Sequence, residues 1–291
     1  MPIQYDKELN PSQHEAVMCT EGPLLVIAGA GSGKTRTLTF RTARLVEQGV
    51  APDQVLLLTF TRKAAEQMIR RAAALLDGRC ARVSGGTFHS FSLLLLRRHA
   101  ERLGYSNRFV ILDRADSEVI IEGLRKEAVP RGTRGFPRKR TLAEIFGKSV
   151  NKAMEVKEVI EEEFPHFLEF AGDIEHIYQR YVTAKADGDL MDFDDLLVNA
   201  RLLLATEPEV RRAASAAYRY IMVDEYQDTN LLQAEILRLL ADGHDNVMAV
   251  GDDSQSIYAF RGACFENILR FPEVYEGAKI VRLRAPGAEE V

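Results

Sequence analysis

The sequence predicts an α/β fold with a parallel sheet, interrupted by a mostly helical insertion, and three observations lead there. Short apolar runs at Leu24–Ala28, Val55–Thr59, Tyr220–Val223, Val247–Val250 and Ile280–Leu283 are continuous rather than alternating, the pattern of strands covered on both faces. Helix-period segments separate most of them, for example Thr35–Gln48 with Leu38, Ala43, Leu45 and Val46, and Lys63–Leu76. Strand–helix–strand repetition builds a parallel sheet with helices on its faces. Between about Ser92 and Arg212 the alternation stops. That stretch holds the helix-period segments Phe91–Leu103, Ser117–Ala128, Ala171–Lys185 and Asp194–Ala205 and hardly any strand-like run. The expected division is a discontinuous α/β domain over 1–91 and 213–291, with a helical domain over 92–212 inserted into it. A chain of 291 residues has room for both at roughly 100–200 residues per domain.

Composition narrows the function classes. Hydrophobic residues at 46% and charged residues at 28% are the balance of a chain that buries a core, so pervasive disorder is excluded. Lys plus Arg number 38 and Asp plus Glu 43, a net charge of −5, so any nucleic-acid contact has to come from a local basic surface. The apolar runs fall far short of the ~20 residues of a membrane span. The start Met1-Pro2-Ile3-Gln4-Tyr5-Asp6-Lys7 lacks the basic, apolar and small-residue order of a secretory signal. No membrane partner and a cytoplasmic location are expected. Cys19, Cys80 and Cys264 have no His or Cys at metal-ligand spacing and read as reduced, structural residues.

Taken in order, the first element with chemistry follows the first strand. Ala28-Gly29-Ala30-Gly31-Ser32-Gly33-Lys34-Thr35 stands between that strand and a helical pattern, the context of a Walker A phosphate-binding loop. Its glycines let successive backbone N–H groups point at phosphate oxygens, and the helix N-terminus adds its positive dipole end. Lys34 is placed to reach the β and γ phosphates of a bound nucleotide, and Thr35 to offer a hydroxyl to Mg²⁺. Ala28 stands where such loops usually carry their first glycine.

In the inserted stretch, Pro130–Arg140 collects Arg131, Arg134, Arg138, Lys139 and Arg140 with no acid. It reads as a solvated loop or a nucleic-acid contact. The opposite bias, Glu155, Glu158, Glu161, Glu162 and Glu163, reads as a solvated helix face. Beyond it, Ile221-Met222-Val223-Asp224-Glu225 supplies the carboxylates a Walker A loop needs at the end of a second strand. Asp224, leaving the sheet first, is the expected Mg²⁺ ligand; Glu225 is the expected group to orient and deprotonate the attacking water.

Further segments line up with these: Asn10-Pro11-Ser12-Gln13, Thr59-Phe60-Thr61-Arg62-Lys63-Ala64-Ala65, Gly86-Thr87-Phe88-His89-Ser90, Asp224-Glu225-Tyr226-Gln227-Asp228-Thr229-Asn230 and Val250-Gly251-Asp252-Asp253-Ser254-Gln255-Ser256-Ile257-Tyr258-Ala259-Phe260-Arg261-Gly262-Ala263. With them the chain, from Leu9 to Leu283, resembles the UvrD/Rep family of superfamily 1 DNA helicases. The resemblance implies a RecA-like P-loop motor domain carrying the helical stretch as an accessory domain. It further implies ATP and Mg²⁺ as cofactors, and ATP hydrolysis coupled to 3′ to 5′ translocation on single-stranded DNA and at duplex junctions. Repair or replication proteins are the candidate partners.

Residue by residue, the resemblance makes Gln13 the adenine-reading glutamine, a role suited to an amide that donates and accepts at once. Gln227 and Gln255 correspond to glutamines near the γ phosphate, and Arg36 either approaches the nucleotide or is an ordinary exposed helix residue. Lys34, Glu225 and Gln255 form the expected catalytic set. Tyr258 and Phe260 occupy positions where the family stacks bases on aromatic rings, the second often a Trp. Phe60, Thr61, Arg62, His89 and Phe193 resemble other strand-contacting positions. The family continues with an arginine-bearing motif and a second RecA-like domain, whereas this sequence reads Arg284-Ala285-Pro286-Gly287-Ala288-Glu289-Glu290-Val291. It is therefore expected to be an ATP-binding first half that awaits a C-terminal motor domain. Three other readings stay open: the helicase part of a RecB- or AddA-type recombination nuclease, a P-loop phosphotransferase, and a non-catalytic nucleotide-dependent binding module.

Overall fold

The computed structural model describes residues 3–76, 78–130, 133–252 and 266–283. The strands are β1 Leu24–Ala28, β2 Val55–Leu58, β3 Ser84–Gly86, β4 Val110–Ile111, β5 Leu190–Met191, β6 Tyr220–Val223, β7 Val247–Gly251 and β8 Lys279–Leu283. The helices are α1 Tyr5–Glu8, α2 Pro11–Met18, α3 Lys34–Glu47, α4 Arg62–Leu75, α5 Phe88–His99, α6 Arg114–Ala128, α7 Lys139–Lys152, α8 Val156–Glu163, α9 Ala171–Asp187, α10 Phe193–Thr206, α11 Pro208–Ala217, α12 Leu231–Leu240 and α13 Glu266–Val274. None of them is long and apolar enough to cross a membrane.

The chain divides into two compact units, residues 1–91, 204–229 and 233–291 in the first, 92–203 and 230–232 in the second. The return to the first unit falls at 204, ahead of residue 213, because α11 packs on the turn Pro52–Gln54 and Arg211 and Ser215 bond Asp242.

In the first unit, six strands form one parallel sheet in the order β3-β2-β6-β7-β1-β8. Every residue of β2, β6 and β7 is buried, as continuous apolar runs require of central strands. Leu24, Val26, Leu57, Met222, Met248 and Val250 pack with Leu38 of α3 and Met68 of α4 into one core. Each such side chain contributes about 1.5–3 kcal/mol of burial. Two elements depart from the sequence-based expectation. β8 reads as a buried run yet lies at the sheet edge, so Val281 and Leu283 turn inward while Ile280 remains 48% exposed. β3 has no strand composition at all. Its Gly85 lets α4 settle directly on the backbone: a Cβ there would stand 2.6 Å from Ile69 Cδ1.

The parallel arrangement places the carboxyl ends of β1, β2, β6 and β7 along one edge. The phosphate loop, Thr59, Asp224 and Asp252 leave the sheet there, where open α/β sheets bind ligands.

The second unit packs α6, α7, α8 and α9 around Ile121, Leu142, Ile145, Val159, Ile174 and Ile177. α8 falls where the acidic residues Glu155–Glu163 read as a helix face, whereas no helix was expected over α7, and β4 pairs with β5 in the only strand pair described there. The acidic face of α8 is only partly a solvated one, because Glu163 meets Lys148 and Lys152 of α7. In the basic segment Arg134, Arg138 and Arg140 are exposed, while Phe136 anchors the chain against Phe170, ring centroids 5.1 Å apart.

Burial, reinforced by Asp192, pushes the Asp194 carboxyl up to about 6 in spite of a 2.9 Å hydrogen bond from Asn151 Nδ2. A carboxyl that holds its proton more tightly when folded stabilises the fold at low pH and loses that advantage as pH rises from about 4 to 6. Asp194→Asn keeps the acceptor and removes the charge. It is expected to gain about 1–2 kcal/mol in urea denaturation at pH 7.5, allowing for solvent screening, and nothing near pH 4.

Candidate nucleotide site

The site is built from loops at the carboxyl ends of β1, β6 and β7. Gly33 starts α3 in the left-handed region, φ 90°, and Gly31 has φ 76°. The left-handed φ favours glycine at Gly33, and a Cβ there would also stand 2.4 Å from Gln13 Nε2 and displace that amide. The loop is tied internally by Ser32 Oγ donating to Gly29 O at 2.7 Å. The Ala28 backbone is the last residue of β1, paired with Leu283, so the side chain that replaces the usual glycine sits in the sheet and leaves the loop open.

Gln13 approaches the loop from α2. Asn10 and Gln13 form a capping box, Asn10 Oδ1 accepting from Gln13 N at 2.9 Å and Gln13 Oε1 accepting from Asn10 N at 3.2 Å. The Gln13 amide then donates to Ser32 O at 2.9 Å. Arg36 turns the other way: its guanidinium bonds Glu8 O and, at 2.6 Å, Glu8 Oε2, and lies over the Phe40 ring.

Opposite the loop, Lys34 Nζ stands 2.9 Å from Glu225 Oε2 and 3.8 Å from Asp252 Oδ2. Gln227 closes a ring of polar groups, donating through Nε2 to Glu225 Oε2 at 2.8 Å and accepting from Asp252 N at 3.1 Å. Glu225 is held at φ 51°, a conformation that costs a non-glycine residue of order 1–3 kcal/mol. That strain aims its carboxylate back toward Lys34. Asp224 is anchored by its N–H on Leu58 O at 2.9 Å, and its Oδ1 is buried with no hydrogen-bond partner. Burial, then the neighbouring Glu225 charge, pushes this carboxyl up to about 6. A buried, charge-poor carboxylate oxygen with no donor invites a cation.

Phe60, Thr61 and Arg62 follow β2. Phe60 is 57% exposed, and Thr61 caps α4 by accepting from Ala64 N at 3.2 Å. His89 follows β3 on α5, where burial lowers its pKa. Phe193 belongs to the helical unit, also 57% exposed, at the start of α10. Gln255, Tyr258 and Phe260 lie outside the described residues.

Residues 9–276 match the UvrD/REP helicase N-terminal domain family. The chain belongs to that family. It is 39% identical over 276 residues to the ATP-dependent DNA helicase PcrA of Bacillus subtilis, covering 94% of this chain and 37% of that protein. The PcrA of Staphylococcus epidermidis is 39% identical over 280 residues, 95% of this chain and 37% of that protein. A probable DNA helicase II homolog of Rickettsia felis is 37% identical over 278 residues, 94% of this chain and 42% of that protein. The chain thus spans about two fifths of the length of these relatives. For this member of the UvrD/REP family, the sequence reading missed one site residue. Asp252 is fully buried, hydrogen-bonded through its N–H and close to Lys34. The signal was available, since it leaves the apolar run of β7 as Asp224 leaves that of β6.

Proposed function

We propose that this chain is the ATP-binding first motor domain of a DNA helicase that couples ATP hydrolysis to 3′ to 5′ movement on single-stranded DNA. The observation that carries the reading is the convergence of Lys34, Asp224, Glu225, Gln227 and Asp252 on the phosphate loop at one sheet edge. In this reading the backbone N–H groups from Gly29 to Thr35 bind phosphate oxygens, and Lys34 leaves Glu225 to neutralise the β and γ phosphates. Thr35 and the partnerless Asp224 Oδ1 fit a magnesium shell otherwise made of phosphate oxygens and water. When bound, the ion supplies charge neutralisation at those oxygens. Glu225, freed from Lys34, orients the attacking water and accepts its proton. Gln227 holds that carboxylate on one side and the β7 terminus on the other, so a change at the phosphates is felt at both strand ends.

Phe60, Thr61, Arg62 and His89, and Phe193 on the helical unit, are the proposed contacts to single-stranded DNA; Gln255, Tyr258 and Phe260 complete the set by resemblance. Exposed rings suit sequence-tolerant stacking at ~1–3 kcal/mol per base. The proposed partners are a second motor domain that supplies transition-state arginines, a DNA duplex junction, and repair or replication proteins; the proposed location is cytoplasmic. Because such arginines are worth about 10³–10⁵ in rate, the 291-residue chain is expected to bind Mg²⁺–ATP and turn it over only slowly. Phosphate release with and without a single-stranded oligonucleotide tests this. Slow turnover indifferent to DNA, with ATP binding in a parallel titration, supports the half-site reading. Strongly DNA-stimulated turnover or processive unwinding by this chain overturns it.

A further inference from the structure

Arg41 lies on α3, two turns beyond Lys34 and Thr35, and is the largest fully buried side chain among the described residues, 2% exposed. No carboxylate pairs with it among the described ion pairs. Its guanidinium goes instead to three backbone carbonyls: Nη1 donates to Ala16 O at 2.9 Å and to Cys19 O, and Nη2 to Thr20 O at 3.2 Å. Those are the last-turn, C-cap and following residues of α2, the carbonyls a helix end leaves without partners. A positive charge at this end also complements the helix dipole. Burying a guanidinium chiefly against carbonyls is costly, and burial lowers its pKa to about 10 although Cys19, Glu21 and Tyr220 act to raise it. An apolar side chain would fill the space without that cost.

What the guanidinium achieves is geometric. The eight-residue α2 is too short to hold its own position, so its ties to other elements set where it lies. One end is held by Arg41. At the other end Gln13 reaches the phosphate loop through Ser32 O, its amide against Gly33. Both of these ties lead to α3 and the loop that starts it, while Glu15, on the exposed side of α2, meets Lys279 of β8 at 2.8 Å. The planar fork spans three acceptors at once, which a lysine ammonium does less well.

We propose that Arg41 is a positioning residue for base recognition: by fixing the C-terminal end of α2 to α3, it sets the place of the Gln13 amide relative to Lys34 and Thr35. The inference rests on the reading that Gln13 recognises the adenine base. The phosphate-binding groups sit on α3 and its own loop and do not depend on the Arg41 clamp, so the two halves of nucleotide recognition separate.

The test measures affinities of the full chain for Mg²⁺–ATP and Mg²⁺–CTP by competition against a labelled nucleotide. Arg41→Met is expected to weaken ATP about tenfold and CTP less than twofold, as is Gln13→Ala. Combining the two is expected to add little, because both remove the same base contact. Arg41→Lys keeps the charge and part of the carbonyl contact, and is expected to lose about threefold in ATP alone. It decides the matter if Arg41→Met does not fold by circular dichroism. Equal losses for ATP and CTP would make Arg41 a purely structural residue, and an unchanged ATP affinity would remove it from recognition; either overturns the proposal. If Gln13→Ala shifts the ATP-to-CTP preference and the Arg41 variants do not, the positioning role alone fails. If Gln13→Ala leaves the preference unchanged, the base-reading assignment fails and this inference goes with it.

Discussion

Glu225→Gln retains ATP binding and lowers phosphate release by about 10²–10⁴-fold, the usual worth of a positioned general base. The substitution is close to isosteric. Its amide can still accept one hydrogen bond from Lys34 or Gln227, which now stand 2.9 Å and 2.8 Å from Glu225 Oε2. What it cannot do is take a proton from water. Removing a negative charge beside the γ phosphate is also expected to leave ATP affinity unchanged or raise it. The backbone at this position stays strained in either case, so stability moves little. Single-turnover phosphate release and an equilibrium titration with Mg²⁺–ATP separate the two effects. A matched loss of binding and turnover would mean that Glu225 serves Lys34 as a structural counter-ion and that the water is activated elsewhere, with Asp252 the next carboxylate to examine.

The parts of this site that were legible in the sequence are those whose chemistry is written in consecutive residues. The phosphate loop is a run of backbone conformations that only a particular local order of glycines, Lys34 and Thr35 supports, and Asp224-Glu225 leaves an unmistakably apolar strand. The rest depends on neighbours far away in the chain. Ile280 looks like a core residue until β8 is known to be an edge, and β3 looks like a turn until Ile69 is known to lie on Gly85. Gln227 joins Glu225 to Asp252 across the ends of β6 and β7, a relation that no spacing announces. Arg41 is hidden for a related reason. An arginine in the middle of an amphipathic helix reads as a surface residue unless the carbonyls waiting for it are seen.

The helical unit holds a comparable buried charge, and its removal gives the largest expected effect on stability. Lys185→Met is expected to cost about 3–5 kcal/mol at pH 7.5 by urea denaturation, the range for deleting one partner of a buried ion pair. Lys185 is 4% exposed, with Nζ 2.6 Å from both Asp192 Oδ2 and Asp195 Oδ2 and 4.3 Å from the centre of the Tyr181 ring. Burial alone would push the ammonium pKa down, yet the two carboxylates outweigh it and raise it; Lys185 in turn holds Asp192 below its ordinary value. The same carboxylates cap each other's backbone, Asp192 N donating to Asp195 Oδ2 at 2.8 Å and Asp195 N to Asp192 Oδ1 at 2.9 Å. Without the lysine they face each other at close range with no compensating charge. The sign of the pH dependence follows. In Lys185→Met the two carboxyls are pushed upward, so the penalty is full near neutrality and shrinks as pH falls toward 4 and they take up protons. Adding Asp195→Asn should restore much of the loss, since one charge then remains where there were two. A cost below about 1 kcal/mol for Lys185→Met would show that water reaches the pair and screens it as it does a surface bridge. Phe193 sits between Asp192 and Asp194 on this turn, 57% exposed, so the triad that stabilises the unit also fixes the ring proposed to meet single-stranded DNA. The variant should accordingly weaken oligonucleotide binding even where the unit is still folded.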